Sequence, residues 1–213
     1  AHEIKNPLTP IRLAAERVLR KWKSDPAQAA PIIESSMLAI VKEVEGMDAL
    51  LGDFKSFASL PEPQRDWIGL RDLVEKSVAL YAASYPGVSF DLGGLPGGMT
   101  LRVDSAAMKR AIGNLISNSI DAMDGAGRIE IGADLVKAAD SRYCRLRIRD
   151  TGRGVSAEVG DRIFVPYFTT KESGTGLGLS IVERIVSEHG GAIRFESEEG
   201  AGTTFFVDLP LDR

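Results

Sequence analysis

Apolar residues return every three or four positions through the first sixty residues of the chain. Ile4, Leu8, Ile11, Ala15, Val18 and Trp22 form one series; Ile33, Met37, Ile40, Val44, Met47, Leu51 and Phe54 form another. Each is a heptad seam and predicts an amphipathic helix. Between them, Ser24-Asp25-Pro26 offers a capping side chain and a proline suited to a first helical turn. Two helices joined by a short connection make an antiparallel hairpin. One hairpin cannot cover both sides of such seams, so two chains are expected to pair into a four-helix bundle.

The pattern then changes. Leu60-Pro61-Glu62-Pro63-Gln64-Arg65-Asp66 carries two prolines, charge and no apolar period, the composition of a linker. Beyond it, Leu70 to Tyr85, Ser105 to Met123 and Leu177 to His189 read as helices, with Asp104 as a cap for the second. Val88 to Leu92, Thr100 to Val103, Arg128 to Ala133 and Tyr143 to Arg149 read as strands. Ala192 to Glu196 and Thr203 to Leu209 form a closing hairpin around Glu198 to Gly202. Strands and helices without strict alternation suggest a layered α/β sandwich with helices on one face. The fold class is therefore α+β: an antiparallel helical hairpin over residues 1–60, a linker over 61–66, and a sandwich domain over 67–213.

Composition narrows the chemistry. A net charge of −4 argues against a nucleic-acid partner, which needs a basic surface. Cys144 is the only cysteine, so an internal disulfide is excluded, and with just His2 and His189 there is no His/Cys metal cluster. No apolar run approaches the roughly 20 residues of a membrane-spanning helix. The chain opens directly on a motif, so targeting or membrane segments are expected upstream of it.

Four segments carry candidate chemistry. His2 has a carboxylate beside it, Glu3, which can hold one ring N–H and sharpen the other nitrogen as a nucleophile. Pro7 invites a bend one turn later, and a surface histidine is the plain alternative. Asn114 and Asn118 are four apart, so both carboxamides leave one helix face, where a hydrated Mg²⁺ could engage them. Asp150 follows a strand, and Gly152 and Gly154 permit close backbone approach, so the acid can accept from an adenine amino group. A simple turn has the same composition. Gly174-Thr175-Gly176-Leu177-Gly178 runs directly into a helix whose first N–H groups can face phosphate. It is neither the dinucleotide fingerprint nor the P-loop. Lys171 just upstream can add a cation, or be an ordinary exposed lysine. Phe164, Tyr167 and Phe168 read as core that also anchors this loop. His189 suits the last carbonyls of its helix and has no catalytic role.

In this order, the segments resemble those of the sensor histidine kinases of two-component signalling. His2 to Pro7 resembles their phosphoacceptor box, Asn114 to Asp121 their N box and Asp150 to Gly154 their first glycine box. Phe164 to Phe168 is similar to their F box and Gly174 to Gly178 to their second glycine box. The likeness covers nearly the whole chain, and the stretch from Ala1 to Arg20, with Asn-Pro-Leu-Thr-Pro-Ile-Arg-Leu-Ala-Ala-Glu-Arg, is most similar to the nitrogen-regulation branch. It implies a homodimeric phosphotransfer hairpin joined to a Bergerat-type ATP-binding domain. The first helix of that hairpin would begin upstream of Ala1. The parent would be anchored in the bacterial inner membrane, with this part cytoplasmic.

By matching position, His2 would be the phosphoacceptor, Glu3 its acid/base partner and Asn6 the residue orienting water for dephosphorylation of the partner. Asn118 would be the magnesium ligand, alongside Asn114 in the ATP site. Asp150 would contact adenine, and Gly152, Gly154, Gly174, Thr175, Gly176, Leu177 and Gly178 would shape the pocket and lid. The implied reaction moves the γ-phosphoryl of ATP·Mg²⁺ to His2 as the second domain swings over the bundle. The group then passes to an aspartate of a response regulator. A rival is hydrolysis, as in gyrase or HSP90, where a Glu four residues before the magnesium Asn activates water. Here that position is Asn114, which cannot act as a base. A silent nucleotide-binding scaffold is the other rival; Glu3, Asn118 and the three loop glycines speak against it.

Overall fold

Ala, Leu, Glu, Arg and Lys, all strong helix formers, make up most of the opening segment, and α1 spans His2–Ser24. Pro7 and Pro10 each forgo a backbone bond, and the helix continues through both. The computed structural model describes residues 2–26, 29–58, 62–138, 141–171 and 174–211; the side chains of residues 2–6, 48–58 and 138 lie outside that description. Helix α2 spans Ala30–Ala58 and packs against α1. The chain divides into two units, Ala1–Ser59 and Leu60–Arg213.

Within the first unit the heptad series split between two sides. Ile11, Ala15 and Val18 of α1 and Ile33, Ile40 and Met47 of α2 are half-buried in the hairpin. Leu8, Trp22, Met37 and Val44 from the same series are exposed at 48%, 56%, 43% and 45%. Leu19 and Val41 extend these outer stripes. Ile4, Leu51 and Phe54 have side chains outside the described ones. The connection corrects the sequence reading: α2 starts at Ala30, so Pro31 rather than Pro26 occupies its first turn. Ser24 Oγ donates back to the Lys21 carbonyl at 3.2 Å, at the end of α1. Serine hydroxyls serve either end, and the α1 carbonyl is the nearer partner.

The second unit opens with a strand the sequence did not announce. Of the predicted linker, residues 60 and 61 lie outside the described residues. Asp66 already belongs to β1 (Asp66–Gly69), which pairs antiparallel with β3 (Thr100–Val103). Four residues with an exposed Trp67 carry too little alternation to read. Helix α3 follows at Leu70–Ser84, then β2 (Val88–Gly94) and, after β3, α4 (Ser105–Ala122). The long antiparallel pair β4 (Gly127–Ala138) and β5 (Ser141–Asp150) leads to a single turn, α5 (Ala157–Gly160). Helix α6 (Gly178–Glu188) and the hairpin β6 (Ala192–Glu198) and β7 (Gly202–Pro210) complete it.

The main sheet has the order β2-β4-β5-β7-β6, parallel only between β2 and β4. Alternation decides its faces. Cys144, Leu146 and Ile148 of β5 point inward with Ile129 and Ile131 of β4 and Phe205, Val207 and Leu209 of β7. Against them sit Met108, Ile112, Leu115 and Ile116 of α4 and Ile181, Val182 and Ile185 of α6. The opposite face is charged: Arg145 pairs bidentately with Asp208 at 2.7 Å, and Arg147 with Asp134 at 2.9 Å. Burial, with Asp208 and Asp134 nearby, pushes the Cys144 thiol up to about 12, so it behaves as a small core hydrophobe. The architecture is the expected two-layer sandwich with helices on one face.

One polar network ties the start of this unit to its helices. Asp104 Oδ1 accepts from the Ala107 N–H at 3.0 Å, the expected N-cap of α4, and its Oδ2 accepts from the Gln64 N–H at 3.0 Å. The Asp104 N–H in turn donates to His189 Nε2 at 3.0 Å, while His189 Nδ1 lies 2.7 Å from the Ile185 carbonyl. His189 thus serves the end of α6 as expected, and also closes the start of α4. Burial raises the Asp104 carboxyl, but the N–H groups of Ala107, Gln64 and Ala106, with His189, pull it below its ordinary value. A depressed folded value means stabilisation that is full above the ordinary carboxylate range and is lost as pH falls through the folded value. Asp104→Ala should therefore cost about 1–2 kcal/mol of stability at pH 7. In denaturant titrations that deficit should shrink on acidification, and Asp104→Asn should restore most of the cap.

Candidate functional site

Helix α4 builds the floor of the site. Its apolar positions face the sheet, which turns Asn114, Asn118 and Asp121 along another edge. Asn114 Nδ2 donates to the Gly178 carbonyl at 3.1 Å, so this carboxamide fastens the first turn of α6. Asn118 Oδ1 accepts from Lys171 Nζ at 2.8 Å, and the same ammonium reaches Asp121 Oδ2 at 2.7 Å. The predicted pair does share one helix face, with different partners.

Asp150 ends β5 with only 1% of its surface exposed. Its Oδ1 accepts from the Gly152 N–H at 2.9 Å and the Thr203 N–H at 3.1 Å, and its Oδ2 from Ser119 Oγ at 3.0 Å. A carboxylate oxygen takes two donors, so Oδ2 keeps one acceptor position. Glycine is needed beside it. A Cβ at Gly152 would meet Ala122 at 2.8 Å. At Gly154, where φ is +72°, a Cβ would strike the Glu198 carbonyl. Ser119 and Thr203 were missed in the sequence, and nothing local marks Thr203, which lies 53 positions downstream of the acid it serves.

The glycine loop folds back on the aromatic segment. The Tyr167 N–H donates to the Gly176 carbonyl at 2.9 Å, and a Cβ at Gly176 would meet Tyr167 backbone carbon at 2.5 Å. Thr175 Oγ1 accepts from the Leu177 N–H at 3.3 Å, and Leu177 is buried. A Cβ on Gly174 would meet Thr169 Oγ1 at 2.5 Å. Residues 172 and 173 lie outside the described residues. Phe164 packs edge-on against Phe195 with ring centroids 6.1 Å apart, and the Arg162 guanidinium lies 4.3 Å from the centre of the Phe168 ring. Tyr167 corrects the sequence reading: it is 47% exposed rather than core, at a left-handed φ of 66°. The bond to Gly176 holds its backbone there and turns the ring outward.

A cleft of about 570 Å³ opens beside Asp121 and Lys171, lined also by Tyr85, Asp124, Arg153 and Thr170 among others. Beside the Asp121–Lys171 pair at this cleft, the same unit holds a buried, oriented carboxylate in Asp150 and a glycine-rich helix start, neither of which lines the cleft itself. Such a combination suits a ligand with a hydrogen-bonding base and a phosphate tail. His2, Glu3 and Asn6 belong to the first turns of α1, and their side chains lie outside the described ones. Among the described residues no group of three His, Cys, Asp or Glu could hold a metal, and no helix is long and apolar enough to cross a membrane.

Comparison with known proteins agrees with this geometry. Residues 103–213 match the family described as histidine kinase-, DNA gyrase B- and HSP90-like ATPase. The nitrogen regulation protein NtrY of Azorhizobium caulinodans is 36% identical over the whole chain, and the histidine-protein kinase AtoS of Escherichia coli is 31% identical. The chain spans 28% of the first relative and 34% of the second. A solved structure of histidine kinase ThkA in complex with response regulator protein TrrA superimposes with a TM-score of 0.78 at 24% identity. That match covers 99% of this chain and 59% of ThkA, and it supports the fold. With its matched segment running from the end of β3 through the closing hairpin, the chain belongs to the histidine kinase-, DNA gyrase B- and HSP90-like ATPase family.

Proposed function

We propose that the second unit binds Mg²⁺·ATP and passes its γ-phosphoryl to His2, and that His2 hands the group to an aspartate of a response regulator. One observation carries this reading most: Asn118 Oδ1 already faces a cation, the Lys171 ammonium at 2.8 Å, beside the glycine loop. An uncharged oxygen that accepts a cation fits magnesium, which binds few protein oxygens. Bound there, Mg²⁺ would neutralise the charge carried by the phosphates.

The chain's own residues do the rest. Asp150 Oδ2, held in place by Ser119, offers its remaining acceptor position to the adenine amino group. Gly152 and Gly154 keep the wall behind it thin. Gly174 to Gly178 presents backbone N–H groups to phosphate, with Asn114 fastening the start of α6 beneath them. Lys171 supplies a cation beside them. On α1, Glu3 would hold one ring N–H of His2 so that the other nitrogen attacks phosphorus, and Asn6 would orient water when the regulator is dephosphorylated. Asn114 offers no general base at the position where hydrolytic relatives use one, which favours transfer over hydrolysis.

The hairpin's outer stripes, with Leu8, Trp22, Met37, Val41 and Val44 exposed, favour a second copy of the chain and a four-helix bundle. A regulator partner is supported by the ThkA structure, which holds one. We read the division into residues 1–60, 61–66 and 67–213 as phosphotransfer hairpin, linker and ATP-binding domain. NtrY is the branch that the opening segment favours, and AtoS matches nearly as well. The reading sets both units in the cytoplasm, with a membrane anchor carried by other segments of the parent.

Incubation with γ-labelled ATP and Mg²⁺ should leave acid-labile, base-stable label on the chain. His2→Gln should abolish the label and leave ATP affinity unchanged; a change in affinity would overturn the assignment of His2. Asn118→Asp should disturb Mg²⁺·ATP binding measured by calorimetry, and full binding would remove Asn118 from the metal site. Val41→Glu combined with Val44→Glu should shift sedimentation from dimer to monomer.

A further inference from the structure

Asp121 has no part in that reading, yet it holds the loop lysine more closely than Asn118 does. Lys171 Nζ sits 2.7 Å from Asp121 Oδ2 and 2.8 Å from Asn118 Oδ1. The two α4 residues are three apart, so their side chains stack on adjacent turns of one face. Both oxygens therefore reach a single small cation at once. The lysine and aspartate side chains retain 31% and 48% of their exposure, so the pair is accessible to solvent ions and to ligand. Carboxylate and carboxamide oxygens are hard donors that serve magnesium as readily as ammonium. A magnesium ion placed at these oxygens would repel the ammonium already there.

We infer that Asp121 is a positioning residue for metal-loaded nucleotide: with Asn118 it holds either the Lys171 ammonium or the magnesium ion, and the two cations exchange at one pair of oxygens. This rests on the proposed Mg²⁺·ATP site and adds a residue to it. The sign of the effect depends on the metal. Without magnesium, Asp121 meets incoming phosphates as an anion and also keeps Lys171 on α4. With magnesium, the same carboxylate attracts the metal-loaded nucleotide and Lys171 is free to meet phosphate. Asp124 and Arg153 line the same cleft with opposite charges and are present in both states.

The test is ATP binding to the whole chain by calorimetry, in EDTA and across a magnesium series. Asp121→Asn should tighten metal-free binding and raise the magnesium half-saturation, each by about three- to fivefold, the scale of a half-exposed charge pair. Lys171→Met should act in the opposite direction, weakening metal-free binding and steepening the metal dependence. A general structural defect would weaken binding equally with and without metal, and that result, or an unchanged magnesium curve in Asp121→Asn, overturns the exchange. Asp121→Ser serves as the second variant, with thermal unfolding recorded for each. Wild-type chain that binds no ATP at any magnesium concentration would instead overturn the nucleotide site itself.

Discussion

A carboxylate withdrawn from water must be given donors, because an unpaired buried charge costs several kcal/mol. Asp150 receives three, from the Gly152 and Thr203 backbones and from the Ser119 hydroxyl. Those donors come from three different elements: the turn after β5, the start of β7 and the inner face of α4. The acid can stay buried only if strand, hairpin and helix are assembled in register. Its requirement therefore ties the chemistry to the completed sheet, and it leaves one oxygen position whose direction is fixed before any ligand arrives.

The same economy governs the loop above it. Lys171 is fixed by α4, Gly176 is fixed by Tyr167, and Gly178 is fixed by Asn114. Lys171 is held by one ion pair and one hydrogen bond and the two glycines by one hydrogen bond apiece, and each contact is individually weak. A segment held at a few separate points by weak bonds can be rearranged by a ligand that replaces them. The core below, from Ile116 to Val186, has no such freedom.

Much of this was legible because the decisive spacings are local. Asn114 and Asn118 fall on one side of a helix by geometry alone, and the glycine run before α6 advertises its own turn. The alternation in Arg128 to Ala133 and Tyr143 to Arg149 gave two central strands. What escaped depends on distant register. Thr203 meets Asp150 only because β7 lies beside β5, and β1 exists only because β3 offers it an edge. Tyr167 read as core because aromatic residues usually are; the glycine that bends its backbone lies nine positions on, beyond any local window. Pro26 failed for the opposite reason, since a nearer proline, Pro31, fills the same role.

The hydrogen bond from the Gln64 backbone to the cap of α4 has a mechanical consequence. A chain pulled at that point transmits its tension to Asp104, and from there to the first turn of the helix that bears Asn114 and Asn118. His189 shares the load through its ring, so α6 feels it as well. The entrance to this unit is thus a lever arm fastened to both α4 and α6, rather than a slack tether.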